Sequence, residues 1–297
     1  MKLLFKVENA FIFTWKFLCI LLKNKKERFF SEYEKETKMK TVQHYIIGDV
    51  HGEYEMLLRL VAKLPSDARL IFVGDLVNRG RWSRQVVAYA KEHAFAVVRG
   101  NHEGYFIEHG KIFLEKIQAN INAKPNLNSM WAYVGGVEML HSYRLLTKCK
   151  ENECHYVQNN EGMAQLAKDI TWAESLPFYL ELGELEGYEA PIVISHGSIG
   201  DFWHLREENP EHFEFYVQSN RRPPSSDAPI FNIYGHKNYP SVQIGTNYIC
   251  VDTGCGKSDG VAKLSAYCLE TKEVFEVKKS ELMMQEEQRE KKTLKYN

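Results

Sequence analysis

The chain has 297 residues, of which 44% are hydrophobic, 12% aromatic and 26% charged. This composition is typical of a folded globular protein and excludes a disordered or fibrous one. The formal net charge is -1, from 38 Lys and Arg against 39 Asp and Glu. Because residues 1–40 carry ten basic and five acidic side chains, the middle of the chain is acidic. We therefore expect no nucleic-acid groove and no nucleic-acid partner.

The first 40 residues contain the only long apolar run, Ala10–Leu22. It has 13 residues and is interrupted by Lys16, whereas a bilayer span needs roughly 20. A spanning helix is not expected. Basic residues follow the run, so a helix lying on an anionic membrane surface is one interpretation of residues 10–28, and a signal peptide without a cleavage site is another. In a third interpretation, the functional domain starts at MKTVQHYIIGDVHG, and residues 1–38 lie outside it.

The cysteines form no C-x-x-C pair, which predicts reduced thiols in a cytoplasmic protein. Cys149, Cys154 and His155 have a spacing that matches no common zinc module. The six cysteines are Cys19, Cys149, Cys154, Cys250, Cys255 and Cys268.

Short apolar runs that end in polar residues recur along the middle of the chain and predict buried strands. They are HYIIGDVH, LIFVGDLV, FAVVRGNH, PIVISHGS, PIFNIYGH and YICVDTGC. The first three are separated by the amphipathic segments GEYEMLLRLVAKLPS and SRQVVAYAKEHA, which indicates β-α-β-α-β units. Asp49, Asp75 and Asn101 follow one another at intervals of 26 residues. We therefore expect them side by side at the carboxyl ends of parallel strands, where α/β sheets bind ligands.

Two segments interrupt this alternation. Residues 104–190 contain long helical stretches around WAYVGGVEMLHSY and predict a mainly helical insertion beside the site. Residues 201–229 contain NRRPPSS, whose consecutive prolines predict an irregular segment. A loop of this length often faces the substrate.

The polar residues after the predicted strands suit divalent metal ions. Carboxylate, imidazole and amide ligands together fit Mn²⁺, Fe²⁺ or Zn²⁺, and the two oxygens of Asp75 can bridge two ions. The set is too small for two closed structural sites but sufficient for two ions with open positions, which is a catalytic arrangement. The six candidate ligands are Asp49, His51, Asp75, Asn101, His196 and His236.

Arginines and a further histidine stand beside these ligands. Arg79 and Arg99 are suited to binding two phosphoryl oxygens each, because a guanidinium is planar and has paired donors. His102 directly follows a candidate ligand and is predicted to be the general acid that protonates the leaving group.

The motifs G-D-x-H-G, G-D-x-V-x-R-G and R-G-N-H-E, followed by histidines on two later strands, resemble the phosphoprotein phosphatase family of binuclear metallophosphoesterases. The resemblance is closest to the bacterial and phage serine/threonine phosphatase branch, which is related to diadenosine tetraphosphate hydrolases. It covers residues 43–270 and includes WAYVGGVEMLHSY and YICVDTGC. It implies an α/β fold of the calcineurin-like metallophosphoesterase type, a β-sandwich of two mixed sheets flanked by helices, with a mainly helical insertion.

The resemblance also implies a role for each residue that matches a motif. Asp49, His51 and Asp75 would hold one metal ion, and Asp75 with the three ligands Asn101, His196 and His236 would hold the other. His102 would donate the proton. Phosphate would be bound by the three arginines Arg79, Arg99 and, in the degraded motif SNRRPP, Arg221. The two ions would be Mn²⁺, or Fe or Zn. The catalytic domain would comprise residues 41–277, after an N-terminal extension of residues 1–40 and before a charged tail of residues 278–297.

One departure from the family bears on the mechanism. Most protein phosphatases of this family have Asp where GDLVNRG has Asn78, and that Asp favours the charged form of the proton donor. Asn78 can accept a hydrogen bond from His102 but supplies no charge. We therefore expect a weakened acid and a relative preference for leaving groups of low pKa.

Three functions follow. The first is a cytoplasmic phosphatase that acts on serine/threonine phosphoproteins, on phosphotyrosine or on small phosphomonoesters, by attack of a hydroxide that bridges the metals. The second is symmetrical hydrolysis of dinucleoside polyphosphates, whose nucleotide leaving group tolerates Asn78. The third is a pseudoenzyme that binds phosphoryl groups without turnover, which the complete set of candidate ligands disfavours. The sequence does not indicate the oligomeric state.

Overall fold

The structure, a computed structural model, describes residues 42–119, 129–147 and 155–284. The predictions for residues 1–41, for the end of the charged tail and for three of the six cysteines lie outside these ranges. The described strands are β1 (His44–Ile47), β2 (Arg69–Phe72), β3 (Ala94–Val97), β4 (Tyr179–Gly183), β5 (Ile192–Ser195), β6 (Phe231–Tyr234), β7 (Gln243–Ile244), β8 (Tyr248–Cys250), β9 (Lys263–Cys268) and β10 (Val274–Lys278).

Seven α-helices are described: α1 (Tyr54–Val61), α2 (Ser83–His93), α3 (Asn101–Ala119), α4 (Val137–Ser142), α5 (Asn160–Glu174), α6 (Leu205–Glu208) and α7 (Pro210–Ser219). A π-helical turn (Ala132–Gly136) precedes α4, and a 3-10 turn (Gly200–Phe202) precedes α6. Helix α1 illustrates how the sequence pattern produces a helix: Met56, Leu57 and Leu60 recur at intervals of a helical turn and are buried, so one face packs on the core while the other faces water.

The strands form two mixed sheets of five strands. The first has the order β10-β9-β1-β2-β3 and the second the order β4-β5-β6-β8-β7. In the first sheet β1, β2 and β3 are parallel, while β9 and β10 are antiparallel. In the second, β5, β6 and β8 are parallel and carry antiparallel β4 and β7 at the edges. The prediction that the first three strands lie side by side is confirmed.

The two sheets pack face to face and are covered by helices on their outer faces, as the resemblance implied. Alternate residues of one strand point to opposite faces: Ile46 packs between the sheets, while Tyr45 and Ile47 pack under the helices. The layer between the sheets is aliphatic and includes Ile46, Ile71, Val73, Ile194, Ile233 and Val251. Burial of this surface holds the carboxyl ends of both sets of parallel strands at one edge of the sandwich.

Two predicted segments differ from the structure. The insertion of residues 104–190 is mainly helical in its described part, but it ends in β4, which pairs with β5. Residues 201–229 contain helices α6 and α7. The Asn209 side chain caps α7 by accepting from His212 N (3.2 Å), Pro210 occupies its first turn, and Phe213 and Val217 are buried. An Asn-Pro start with apolar residues one turn apart is a helix signal that the prolines near residue 223 obscured.

Within the described ranges, no helix is both long enough and apolar enough to cross a membrane.

Candidate active site

Strained backbone conformations mark the edge where the parallel strands end. His51, Asp75, Asn78, Arg79 and His236 all have positive φ, between 48° and 68°. Residues other than glycine rarely adopt this conformation, and it persists only where the surrounding structure enforces it. All five lie in the loops that directly follow β1, β2 and β6. The surrounding structure therefore holds these loops in conformations that they would rarely adopt alone.

Hydrogen bonds between the loops enforce these conformations. The loop after β1 is joined to the loop after β2, because His51 N donates to Asp75 O (2.8 Å) and Gly80 N donates to His51 O (2.8 Å). The insertion supports the same region: Gly135 has a φ of 96°, and a Cβ there would lie 2.0 Å from Arg79 N. Only glycine allows the insertion to pack this closely against the arginine loop.

Glu103, in the first turn of α3, connects the loop after β2 with the loop after β3. It is 1% exposed, and its carboxylate accepts from Asp75 N (2.8 Å), Leu76 N (2.8 Å) and Gly100 N (2.9 Å). Three backbone donors converge on one buried carboxylate, which fixes Asp75 relative to the start of α3.

The first group of candidate ligands lies between β1 and β2. The Nδ1 atom of His51 lies 3.2 Å from Val77 O, and since a carbonyl only accepts, Nδ1 carries the proton. The unprotonated Nε2 lies 3.7 Å from Asp75 Oδ2 and 3.9 Å from Asp49 Oδ2. Ligand atoms about 2.1 Å from one ion are roughly 3 to 4 Å apart, so the distances from His51 Nε2 to both carboxylates suit a shared divalent ion. The role of Asp49 as the third ligand stays a prediction.

The second group joins the two sheets. The Nδ1 atom of His196, directly after β5, lies 2.9 Å from Val73 O. Because the carbonyl only accepts, Nδ1 carries the proton and Nε2 is unprotonated. That atom lies 2.9 Å from Asn101 Oδ1, 3.0 Å from His236 Nδ1 and 3.3 Å from Asp75 Oδ1. Asp75 thus presents one oxygen to each group, as expected for a bridging carboxylate.

These donor sets fit a pair of divalent ions. Asp75, His196 and His236 form one buried group with the spacing of metal ligands, and Asp75 forms a second with His51 and His102. Lone pairs crowded in a buried space repel each other unless a cation lies between them. Two such ions would supply Lewis acidity toward a phosphoryl group and lower the pKa of a water molecule.

Burial keeps the imidazole ligands uncharged. It lowers the pKa of His196 to about 4 and that of His236 to about 2, with the neighbouring His196 adding to the effect at His236. It also lowers the pKa of His51 well below its usual range. Neutral imidazole is the form that binds metals. Burial raises the pKa of Asp75 to about 7, so this carboxylate loses its proton readily only near neutral pH or when a cation binds.

His102 lies beside the first group and faces hydrogen-bond donors at both ring nitrogens. The amide Nδ2 of Asn78 lies 3.1 Å from His102 Nδ1 and 3.4 Å from His102 O. A carbonyl can only accept, so the amide nitrogen occupies this position and donates. Arg79 Nη2 lies 3.4 Å from His102 Nε2. The prediction that Asn78 accepts a hydrogen bond from His102 is therefore wrong, because the backbone carbonyl of His102 selects the opposite orientation of the amide.

These contacts disfavour the imidazolium form of His102. Burial, followed by the Arg79 charge, lowers the pKa of His102 to about 2. A charged ring would place an N–H against the Asn78 amide donor. The nearest carboxylate oxygen, Asp75 Oδ2, lies 3.9 Å from His102 Nε2 and is a candidate metal ligand, so it is a poor partner for an imidazolium. His102 is thus held neutral beside the candidate metal site.

Five of the six candidate ligands, all except His196, line a polar cavity of about 330 Å³. Four cations face it: Arg79, Arg221, Lys237 and Lys257. Arg99 does not line it. Its guanidinium lies 5.2 Å from the centre of the Phe178 ring, and it borders a neighbouring groove of about 440 Å³ that shares Asn101 with the cavity.

Several residues of the site did not emerge from the sequence. Lys237 and Asn238 follow the candidate ligand His236, and Lys257 lies just after the D-T-G-C motif. Their closeness to a motif is the signal by which the sequence could have identified them. Asp252 of that motif is fully buried, and its carboxyl lies against that of Asp49. Glu103 completes the R-G-N-H-E motif, but only the fold shows its three backbone partners.

The chain is similar to named phosphatases and tetraphosphatases. A symmetrical bis(5'-nucleosyl)-tetraphosphatase of Methylobacillus flagellatus is 27% identical over 268 residues, which cover 78% of this chain and 94% of that protein. The protein of the same name from Shewanella loihica is 32% identical over 119 residues, which cover 38% of this chain and 41% of that protein. Serine/threonine-protein phosphatase 2 of Escherichia coli is 37% identical over 67 residues, 22% of this chain and 31% of that protein. The chain thus spans less than half the length of two of these relatives.

Residues 44–250 match the family described as calcineurin-like phosphoesterase. The match includes both sets of parallel strands and all six candidate ligands, and it confirms the resemblance drawn from the motifs. The chain belongs to the calcineurin-like phosphoesterase family of phosphoric ester hydrolases.

Proposed function

We propose that this protein hydrolyses phosphoanhydrides between nucleotides and that its substrate class is the dinucleoside polyphosphates. The observation that carries the proposal is the environment of His102, with an amide donor at Nδ1 and a guanidinium at Nε2. A serine or threonine alkoxide leaves only if an acid protonates it, whereas a nucleoside diphosphate leaves as a stable anion. A site that keeps its candidate acid neutral favours the second kind of leaving group.

The residues around the cavity have complementary roles in this proposal. Arg79 and Arg221 bind the oxygens of the attacked phosphoryl group and neutralise the charge that develops on them. His102 orients the leaving oxygen by a hydrogen bond. Arg99, one groove away, binds the departing nucleotide. Two divalent ions, most simply Mn²⁺, are held by the six ligands, whose mixed carboxylate and imidazole character suits a first-row ion.

The extent of the similarity to one relative also supports the proposal of a dinucleoside polyphosphate substrate. The relative from Methylobacillus flagellatus is named a symmetrical tetraphosphatase, and the similarity extends over 94% of its length.

We further propose that residues 41–277 form the catalytic domain and that the protein acts in the cytoplasm. Three cysteines in the described part of the chain, Cys250, Cys255 and Cys268, are buried free thiols, which is consistent with a reducing compartment.

A phosphoprotein phosphatase is the second candidate. The Escherichia coli relative with 37% identity bears that name, and the cavity is bordered by a groove with exposed Phe215, which leaves room for a peptide. In this case the alkoxide would have to leave without a charged acid, so turnover of a phosphoserine peptide should be slow.

The test is a Mn²⁺-activated assay of the purified protein on diadenosine tetraphosphate, an aryl phosphate and a phosphoserine peptide. We expect kcat/KM to fall in that order, and we expect ADP to be the sole nucleotide product. A phosphoserine peptide as the best substrate would support the second candidate instead. Absence of turnover on all three, with two metal ions bound per chain, would support a phospho-binding pseudoenzyme.

A further inference from the structure

A second pocket opens from the metal cavity on the side away from the Arg99 groove. It has a volume of about 450 Å³ and shares Asn238 and Lys257 with the metal cavity. It reaches Lys263, the first residue of β9. Strand β9 flanks β1 on one side, whereas β3, which leads to the Arg99 groove, flanks β2 on the other. The metal cavity therefore lies between two pockets of nearly equal volume.

The wall of this second pocket is attached to the metal-binding edge. Asn238 Nδ2 donates to Asp252 Oδ2, Tyr239 N donates to Asp252 O (3.1 Å), and Gly254 N donates to Asp252 Oδ1 (2.9 Å). Since the carboxyl of Asp252 also lies against that of Asp49, the segment that carries Tyr239 is held at a defined position relative to the candidate ligands.

The chemistry of the wall combines an aromatic face with hydrogen-bonding and cationic groups. The ring of Tyr239 and the exposed side chain of Val261 (78% exposed) supply apolar surface, and the carboxylate of Asp259 can accept hydrogen bonds from hydroxyl or amino groups. Lys237 Nζ lies 5.9 Å from the centre of the Tyr239 ring. This combination suits a base and a sugar attached to phosphate.

The lysines at the junction are available for an anion. Within the described residues, neither Lys237 nor Lys257 forms an ion pair with a carboxylate. Both line the metal cavity, together with Arg79 and Arg221. One phosphoryl group beside two metal ions has no need of four additional cations, but a chain of several phosphates that passes through the cavity does.

We infer that the pocket formed by Asn238, Tyr239 and Lys257 binds the nucleoside at one end of a dinucleoside polyphosphate, and that Lys257 binds the adjoining phosphates. The inference rests on the proposed function and adds to it. The phosphate chain crosses the metal cavity, and the nucleotide that leaves lies on the side of the Arg99 groove. The Tyr239 ring stacks on the base of the nucleotide that stays.

The test compares Tyr239→Ala and Tyr239→Phe with the parent in the ratio of kcat/KM for diadenosine tetraphosphate to that for an aryl phosphate. Loss of a stacking ring should lower this ratio roughly 5- to 100-fold in Tyr239→Ala, while Tyr239→Phe keeps it. Lys257→Gln should also lower the ratio. Tyr133→Ala, which removes an exposed aromatic ring on the insertion, is the matched control and should leave both substrates unaffected.

A second measurement does not depend on turnover of the dinucleotide. ADP should inhibit aryl phosphate hydrolysis competitively, and its inhibition constant should rise at least about fivefold in Tyr239→Ala. If the parent produces ADP from diadenosine tetraphosphate but Tyr239→Ala retains the parent ratio and inhibition constant, the pocket assignment is wrong and the proposed function stands. If the parent hydrolyses the aryl phosphate but not the dinucleotide, the proposed function fails and the pocket assignment with it.

Discussion

The substitution Asn78→Asp tests the link between the His102 environment and the choice of leaving group. It replaces the amide nitrogen 3.1 Å from His102 Nδ1 with a carboxylate oxygen, which accepts a hydrogen bond and carries negative charge. The same oxygen would face His102 O, to which the amide now donates at 3.4 Å, so one weak hydrogen bond is lost. The φ of 68° at this position is tolerated by Asp as by Asn.

The expected magnitude follows from the charge. A carboxylate in contact with a histidine raises its pKa by about 1 to 3 units, so the protonated fraction of His102 at neutral pH rises roughly 10- to 1000-fold. A serine alkoxide gains most of this increase, because its departure needs the proton. We expect at least about a tenfold gain in kcat/KM for a phosphoserine peptide and a change within about threefold for diadenosine tetraphosphate.

The assay measures both substrates at saturating Mn²⁺, so that altered metal affinity does not enter. Asn78→Ala is the matched control, because it removes the amide donor without adding charge and should not favour the peptide. The parent and both variants are compared at several pH values above 6. Peptide turnover should fall as pH rises in each protein, whereas the fold gain of Asn78→Asp over the parent should stay constant, because the pKa of His102 lies below this range in both. An equal change on both substrates would refute the argument that His102 selects the leaving group.

Four further expectations concern the metal site and the fold. Asp75→Ala should lose both metal ions and all turnover, because each ligand group contains one Asp75 oxygen; two ions per chain by metal analysis would contradict the bridging role. His102→Gln should keep both ions, and it should slow the phosphoserine peptide more than the dinucleotide. Glu103→Gln should lower the free energy of unfolding by about 1 to 3 kcal/mol, measured by denaturant titration, because its amide turns a donor toward one of three backbone N–H groups; an unchanged midpoint would refute this. Finally, the pKa of Asp75 is raised by burial to about 7, so the folded metal-free protein binds a proton that the unfolded chain has released. The contribution of this group to the free energy of unfolding should therefore fall by about 1.4 kcal/mol per pH unit between pH 5 and 7. It is measured as the difference between the metal-free parent and metal-free Asp75→Asn, and a difference that does not fall with pH would contradict the assignment.

The fold class and the six candidate ligands could be predicted from the sequence because their signals are local. A buried strand followed by a tight turn and a polar residue is visible in GDVHG or GDLVNRG without knowledge of distant contacts. The regular interval of 26 residues between Asp49, Asp75 and Asn101 predicted parallel neighbours. Strands β1, β2 and β3 are parallel neighbours, and the residues paired at their ends, Ile47, Phe72 and Val97, are 25 apart. The prolines near residue 223 concealed α7, since a local signal for a loop outweighed the helix start at Asn209.

What depended on distant contacts could be decided only by the tertiary structure. The orientation of the Asn78 amide is set by the backbone carbonyl of His102, 24 residues away, and no motif records it. The position of Arg99 over Phe178 and the approach of Asp252 to Asp49 likewise arise from the packing of two sheets. The sequence by itself therefore determined which chemical groups meet at the edge of the sandwich. The tertiary structure decided which way those groups face and where the cavity continues, because hydrogen-bond direction and pocket shape depend on residues that are remote along the chain.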